Sequence, residues 1–544
     1  MARHTLFSIT LAAFTLWANC LCLNAQTEQK QTTAQDEVTI GIFALNDFHA
    51  GFVRNDAKHI PGAPAVLQTI DSLKREYPYH LVVGAGDAFG GSYFYSMTRN
   101  RTLLPQFYKD LELQVSAIGN HEFDEGQEKL AAKWGDTQDC PKHFDLTYVS
   151  ANIRDSLGRI PHFAKPYAIQ NIPLNNKDTV KVAFIGLTTA NTPGQVNVKR
   201  IKGLSFDVNY KRVLDSLKQT SGYEEVENAD LRFILTHIGS AMKDGKAVWV
   251  DCGEEYLYSI DDPTLHGFFT SHSHEVVCSH INDAQYPIVQ GLSHGNYISM
   301  VEVKYNITEG KVKSVVPRLI RVFPKSQLEI SPRRLEAQIR EVLEEMSTPG
   351  GTPLGTPVTH FATELRHNRQ NKFTQTPVGT LVCQSYAETY RRVKHLSEDD
   401  IIIGVSHFGS IRAGFPKGEA TVLDVGETLP FANGLRIYEL SGAQLCELIA
   451  FGIHNWKYGQ IQTSYLEYSL NKKGSLNKLY YVKGNIRKEI KKREKYIMVV
   501  DDYITNGGDG YAKRFFPEEQ EIKLKEGEMP MTTDAFIHYL STKK

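Results

Sequence analysis

The chain has 544 residues, of which 41% are apolar and 23% charged. That length sets a soft expectation of about two to four domains and is enough for at least two buried cores. Lysine and arginine number 61 against 62 acids, so no basic field marks a nucleic-acid polymer as partner, and neither sign dominates the surface.

The N-terminus reads MARHTLFSITLAAFTLWANCLCLNAQ. A positive start at Arg3 and His4 precedes a mainly apolar run from Thr5 to Leu23, with Asn24-Ala25-Gln26 after it. This is the pattern of a secretory signal peptide, residues 1–25, cut after Ala25. Residues 26–37 then form a polar, flexible lead. The expected location is the periplasm, the cell surface or the medium. Cys20 and Cys22 lack the small-residue lead-in of a lipidated cysteine, and no later segment is long and apolar enough to span a bilayer. The cysteines beyond the signal are Cys140, Cys252, Cys278, Cys383 and Cys446. An odd count without a CxxC excludes a zinc ribbon and a dense disulfide framework. Buried free thiols are expected, and a Cys252–Cys278 bridge stays open.

From Val38 onward, short apolar runs at 38–45, 81–85, 115–119, 147–152, 180–187, 231–236 and 267–270 read as strands. Helical patterns at 63–76 and 103–111 lie among them, which implies a layered α/β domain over residues 38–328. Ser331 followed by Pro332 predicts a helix start, with Ser331 as N-cap, running to about Met346. The Gly/Pro-rich TPGGTPLGTP ends it, so residues 329–353 read as a linker helix and hinge. A second domain over 354–544 mixes helices at 378–391 and 441–451 with strands at 401–405 and 496–500. The basic stretch 487–493 reads as a solvated face or turn, lying between strands. No internal repeat is visible.

Five separated motifs in the first domain place oxygen or imidazole ligands where a strand ends. Asp47 and His49 lie in NDFH; on an extended segment, residues two apart share a side and can hold one ion. Asp87 follows LVVGAG, and its two carboxylate oxygens can bridge two metals. Asn120, His121 and Asp124 lie in GNHEFD, His237 closes FILTH, and His272 and His274 lie in SHSH. Taken singly, each fits a turn or a core histidine. Together they would be repelling or unsatisfied polar groups without cations among them. Carboxylate, amide oxygen and imidazole suit zinc, manganese, cobalt or iron better than calcium.

The order NDxH, GDxxxGS (Gly86 to Ser92), GNHEFD, TH and HSH resembles the calcineurin-like metallophosphatases, specifically the 5′-nucleotidase family. That family includes ecto-5′-nucleotidase, periplasmic UDP-sugar hydrolases and cyclic-nucleotide phosphodiesterases. The resemblance implies a four-layer β-sandwich metallophosphatase domain flanked by helices, joined by the linker helix to a smaller α/β substrate-binding domain. It implies two divalent cations, one held by Asp47, His49, Asp87 and His274, the other by Asp87, Asn120, His237 and His272. His121 and Asp124 match the catalytic dyad. His121 as imidazolium would stabilise charge on the phosphoryl or leaving-group oxygens, and Asp124 would orient it. Two departures are small: Ser271 replaces a glycine before His272, and Ala50 intervenes between His49 and Gly51.

The second half resembles the family's substrate domain with lower fidelity. Phe431 and Tyr503 match two aromatics that sandwich a nucleobase, a contact worth roughly 1–3 kcal/mol per base. Arg412 in FGSIR matches an arginine facing ribose and phosphate, and Asp509 in NGGDGY matches an acceptor for the ribose hydroxyls. His407 stands where the family has a base-contacting Asn, and Phe408 where it has Gly. The Arg…Glu…Gly-Asn pattern is blurred to Lys372…Gln375…Gly379-Thr380, with Lys372 a point charge rather than a fork. The family also rotates this domain to carry substrate to the metals.

The resulting expectation is an exported hydrolase of nucleoside 5′-monophosphates. The alternatives are a cyclic-nucleotide phosphodiesterase or a UDP-sugar pyrophosphohydrolase, a sulfur-ester hydrolase on the same scaffold, and a silent nucleotide-binding surface protein.

Overall fold

The computed structural model describes residues 36–56, 59–98, 103–132, 146–175, 178–346, 351–368, 371–431 and 433–543. The expected signal peptide, most of the polar lead, Cys140, Ser347 and residues 348–350 of the Gly/Pro stop lie outside the described residues.

The strand Glu37–Leu45 shows why the first domain is layered. Ile40, Ile42 and Ala44 enter one core while Phe43 and Leu45 enter another, as the period-two projection of a strand requires. Two six-stranded sheets face each other across the first of these cores. In one sheet, Glu37–Leu45, Tyr79–Gly84, Val115–Ala117 and Thr147–Val149 run parallel, and Tyr297–Asn306 and Lys311–Arg321 add antiparallel pairings beside Glu37–Leu45. In the other, Thr179–Thr188, Leu231–His237, Phe268–Phe269 and Tyr286–Gly291 run parallel between antiparallel edges Tyr167–Pro173 and Val276–Ile281.

Helices Ala63–Glu76, Leu103–Leu111 and Ile330–Glu345 cover the outer face of the first sheet. Tyr210–Leu217 and Glu254–Tyr258 cover that of the second. The result is the expected four-layer sandwich. Parallel strands bring their carboxyl ends to one edge, which is where open α/β sheets carry ligands.

The linker helix begins two residues before the expected start, with its N-cap at Glu329 instead of Ser331. It spans Ile330–Glu345 with Glu329 at the N-cap and no side-chain cap. Ser331 and Pro332 therefore sit in the first turn, where a proline's missing N–H removes no intrahelical bond. Leu335 and Ile339 bury this helix in the first domain's core. The basic stretch is also partly corrected. Ile486–Glu489 is a strand pairing with Leu476–Lys483 at the edge of a three-stranded sheet, where charged side chains discourage further pairing.

In the second domain a four-stranded sheet takes the order Leu435–Ser441, Lys495–Asp501, Ile402–Ser406, Gln462–Thr463. Helices Pro377–Val393 and Thr532–Ser541 pack Val382, Tyr386 and Phe536 on one face with Ile402, Ile437 and Val499. Helix Gly442–Ile453, capped by a Ser441–Gln444 capping box, packs Leu445, Leu448 and Ile449 on the other. Cys252, Cys278, Cys383 and Cys446 are free thiols. Among the described residues, no helix is long and apolar enough to cross a membrane.

The two domains meet through the loop after Asp87. Tyr93 is buried in the second domain's core. The Glu427 carboxylate accepts from the Phe94 N–H at 2.9 Å, and Ser96 Oγ donates to the Pro430 carbonyl at 2.8 Å.

Candidate metal centre and substrate cleft

All five ligand-bearing motifs leave the carboxyl ends of parallel strands and converge. Three groups of side chains each bring their ligand atoms within 4.8 Å of one another: Asp47, His49 and His274; His49, Asp87 and His121; and Asp87, His237 and His272. Asp87 belongs to two of them.

The reason Asp47 and His49 share a cluster is not the extended spacing expected from sequence. Both lie in left-handed backbone, with φ of 46° and 47°, and Ala50 follows at 47°. Phe48 between them is buried against Phe52 and Phe107, which anchors the loop. Asp87, His272 and His274 also have positive φ, at 52°, 75° and 54°. Left-handed backbone costs roughly 1–2 kcal/mol per non-glycine residue, and such strain concentrates at functional loops.

Backbone carbonyls fix how the rings present themselves. A carbonyl only accepts, so His49 Nδ1, 3.1 Å from Gly90 O, and His237 Nδ1, 3.0 Å from Ala85 O, carry the protons. Each Nε2 then offers a lone pair. His237 Nε2 lies 3.2 Å and His49 Nε2 3.8 Å from Asp87 Oδ2, and His274 Nε2 lies 3.5 Å from Asp47 Oδ1. Asn120 Oδ1 is buried with no hydrogen-bond partner. Inward-facing carboxylates, imidazole lone pairs and an orphaned amide oxygen are the donor set that divalent cations of the zinc or manganese kind complete. The residues fit two such ions.

Ser271, the departure before His272, avoids left-handed backbone. Its buried hydroxyl donates to Ala85 O at 2.6 Å, so it ties the loop of His272 to the strand leading to Asp87.

His121 Nδ1 lies 2.8 Å from Asp124 Oδ2. Burial alone would lower the imidazole's pKa, but Asp124 and Asp87 outweigh it and raise it above the ordinary histidine value. Gly90 stands beside this pair at φ 74°, where a Cβ would collide with Asp124.

From the second domain, Arg412 faces the same cluster. Burial lowers its guanidinium pKa, opposed by the charges of Asp87, Asp124 and Asp47. Phe431 lies parallel to His121, 5.8 Å between ring centroids, with the Arg412 guanidinium 5.7 Å from its own centroid. Tyr503 is stacked on His407, centroids 4.5 Å apart, and its hydroxyl donates to Asp509 Oδ1 at 3.1 Å. Both aromatics expected to sandwich a base are thus stacked on histidines. His407 Nδ1 lies 3.4 Å from buried Asp501, whose charge, with that of Asp509, raises the imidazole's pKa against the lowering effect of burial. Burial pushes the Asp509 carboxyl up to about 6. Lys372 Nζ donates to the Lys457 carbonyl at 2.7 Å.

Sequence reasoning missed Glu122. Buried within GNHEFD, its carboxylate accepts from the N–H groups of Asp87, Ala88 and Gly119 at 2.8, 2.9 and 2.6 Å, clamping two ligand loops together. It also missed Asn46, whose Oδ1 accepts from Gly291 N and Ser299 Oγ. Gln195, which reaches His272 at 3.0 Å, lies outside every motif.

Residues 40–278 match the calcineurin-like phosphoesterase family, and residues 356–515 match the 5′-nucleotidase C-terminal domain. The chain is 26% identical to an endonuclease, YhcR, of Bacillus subtilis over 439 residues, covering 78% of this chain and 33% of that protein. It therefore spans only a third of that relative. It is 24% identical to a 5′-nucleotidase of Vibrio vulnificus over 558 residues, covering 94% of this chain and 92% of the relative. The fold matches the crystal structure of a 5′-nucleotidase precursor from Thermus thermophilus with TM-score 0.71 at 20% identity, covering 93% and 97% of the two chains. With a calcineurin-like phosphoesterase domain followed by a 5′-nucleotidase C-terminal domain, the chain belongs to the 5′-nucleotidase family of metal-dependent phosphoesterases, whose cofactor is a pair of divalent cations.

Proposed function

We propose that the protein is an exported 5′-nucleotidase, releasing phosphate from nucleoside 5′-monophosphates. The observation that carries the reading is Asp87 shared between two histidine clusters, with the His121–Asp124 pair and Arg412 aimed at the same point. Asp47, His49, Asp87 and His274 would hold one cation, and Asp87, Asn120, His237 and His272 the other. The cation pair, when bound, supplies Lewis acidity for in-line displacement at phosphorus.

The remaining roles belong to the chain itself. His121, whose charged form Asp124 favours, stabilises charge on the phosphoryl or leaving-group oxygen. Arg412 presents a guanidinium fork to anionic oxygens. Phe431 and the stacked Tyr503–His407 pair offer flat surfaces to a base, and Asp509 accepts from ribose. The Vibrio relative's name and its near full-length match support a nucleotide substrate. The N-terminal pattern supports export. The linker helix is packed on the first domain, so a rotation of the substrate domain would leave this helix with the first domain.

The test is phosphate release from a panel of mononucleotides, cyclic nucleotides and UDP-glucose, with divalent metal and then with chelator. Metal-dependent turnover fastest on mononucleotides supports the proposal. Faster turnover of cyclic nucleotides or UDP-glucose replaces it with the phosphodiesterase or pyrophosphohydrolase reading. No turnover on any of them sinks both.

A further inference from the structure

His272 has two ring nitrogens, and they face different neighbours. Nδ1 lies 3.2 Å from His237 Nε2, on the side of Asp87, in the cluster that would hold the second cation. Nε2 points away and lies 3.0 Å from the carboxamide nitrogen of Gln195. Gln195 Oε1 is buried with no hydrogen-bond partner. A ring that gives its Nδ1 lone pair to a cation must carry its proton on Nε2, so Nε2 becomes a donor. A carboxamide presents either an oxygen or an NH2 to it by a half-turn, and only the oxygen can accept. The nearest carboxylate is no substitute: Asp251 Oδ2 is 3.9 Å from Nε2, beyond hydrogen-bond range.

The segment bearing Gln195 is itself fixed. It follows the short turn Thr192–Gly194. Tyr458 Oη donates to Asn191 Oδ1 at 3.3 Å, and Tyr503 Oη, whose proton goes to the nearer Asp509, packs 3.3 Å from the Gly194 carbonyl; both tyrosines belong to the second domain. Gly194 is packed so closely that a Cβ there would collide with the Tyr458 hydroxyl. A side chain on an anchored turn, with one orphaned oxygen beside a ligand's outer nitrogen, is placed to orient that ligand.

We propose that Gln195 is a positioning residue for His272, accepting a hydrogen bond from Nε2–H through Oε1 and so holding Nδ1 toward the second cation. The proposal rests on the reading of His272 as a ligand. Outer partners of metal-bound histidines fix the tautomer and ring orientation, and their loss typically costs about 10–100-fold in metal affinity.

The test uses the full-length protein stripped of metal and reloaded with Co2+, whose visible absorption reports its ligand set. Bound metal is counted, and affinity is measured by chelator competition. Gln195→Leu and Gln195→Met, which lack a good acceptor, should bind the second Co2+ about 10–100-fold more weakly than the unaltered protein, with the first unaffected. Gln195→Glu, which keeps an acceptor oxygen, should stay within about threefold. His272→Ala should lose the second ion. If His272→Ala loses it while the Leu and Met variants hold both ions as tightly as the unaltered protein, Gln195 has no positioning role and the ligand reading stands. If His272→Ala keeps both ions, the ligand reading falls and the proposal with it.

Discussion

Phe431 of the substrate domain lies on His121 of the metallophosphatase domain, ring planes 9° apart and centroids 5.8 Å apart. A base held by Phe431 would therefore be positioned next to the residue proposed to act on its phosphate. Base–aromatic stacking contributes about 1–3 kcal/mol. Phe431→Ala should therefore raise KM for a nucleoside monophosphate by roughly five- to 150-fold. An aryl phosphate with no base to stack should show a much smaller rise. Equal rises for both substrates would mean that Phe431 acts through His121 and not through the base.

Asp87 is the carboxylate common to two ligand groups. Asp87→Asn should lower kcat/KM by well over the roughly 100-fold expected from an outer-shell change. It should also reduce bound metal from two ions, and its far-ultraviolet circular dichroism should match that of the unaltered protein. Chelator treatment of the unaltered protein should reproduce the loss, reversed by added divalent metal. Retention of both ions and of activity in Asp87→Asn would remove the bridging role.

The His121 imidazole has a pKa raised above its ordinary value, burial being outweighed by Asp124 and then Asp87. The charged form is present below that pKa and lost as pH rises through it, so activity carried by imidazolium should show an alkaline falling limb. Asp124→Asn removes the first of the two raising charges, and the limb should move to lower pH. His121→Gln should abolish the limb and lower kcat by about 10²–10⁴-fold. A limb that stays put in Asp124→Asn would assign it to some other group.

The convergent cluster proposed to hold the metals is legible in the sequence because its residue types are fixed by chemistry and sit at strand ends, where hydrophobic runs stop abruptly. Asp47, His49, Asp87, Asn120, His237, His272 and His274 can be named from those stops. Extended spacing is nonetheless the wrong reason for pairing Asp47 with His49, because left-handed backbone at 46° and 47° is invisible in an NDFH string. The strand Ile486–Glu489 is hidden because an edge strand with one exposed face can carry nothing but charge on that face. In the second domain the aromatics are nameable, but their partners are not. That Tyr503 stacks on His407 depends on a contact across nearly 100 positions of chain, which no local pattern encodes. Gln195 gives no signal at all, since a lone glutamine after a Thr-Pro-Gly turn resembles any surface residue.

Glu122 carries its signal in plain view, yet its partners are backbone groups that sequence does not show. Its carboxylate collects three N–H donors, from Asp87, Ala88 and Gly119, and it is 1% exposed. A buried N–H left without an acceptor costs about 1–3 kcal/mol, so Glu122→Ala, which strands all three, should destabilise the protein by at least ~2 kcal/mol in chemical denaturation. Glu122→Gln keeps one acceptor oxygen but turns an NH2 toward N–H donors, so it should recover only part of that loss. Because the clamp joins the loop bearing Asp87 to the loop bearing Asn120, both variants should also bind the metal pair more weakly. Unchanged stability with weakened metal binding would make Glu122 a tuner of the ligands alone. Loss of stability with metal affinity intact would make it a structural clamp that the metal site does not feel.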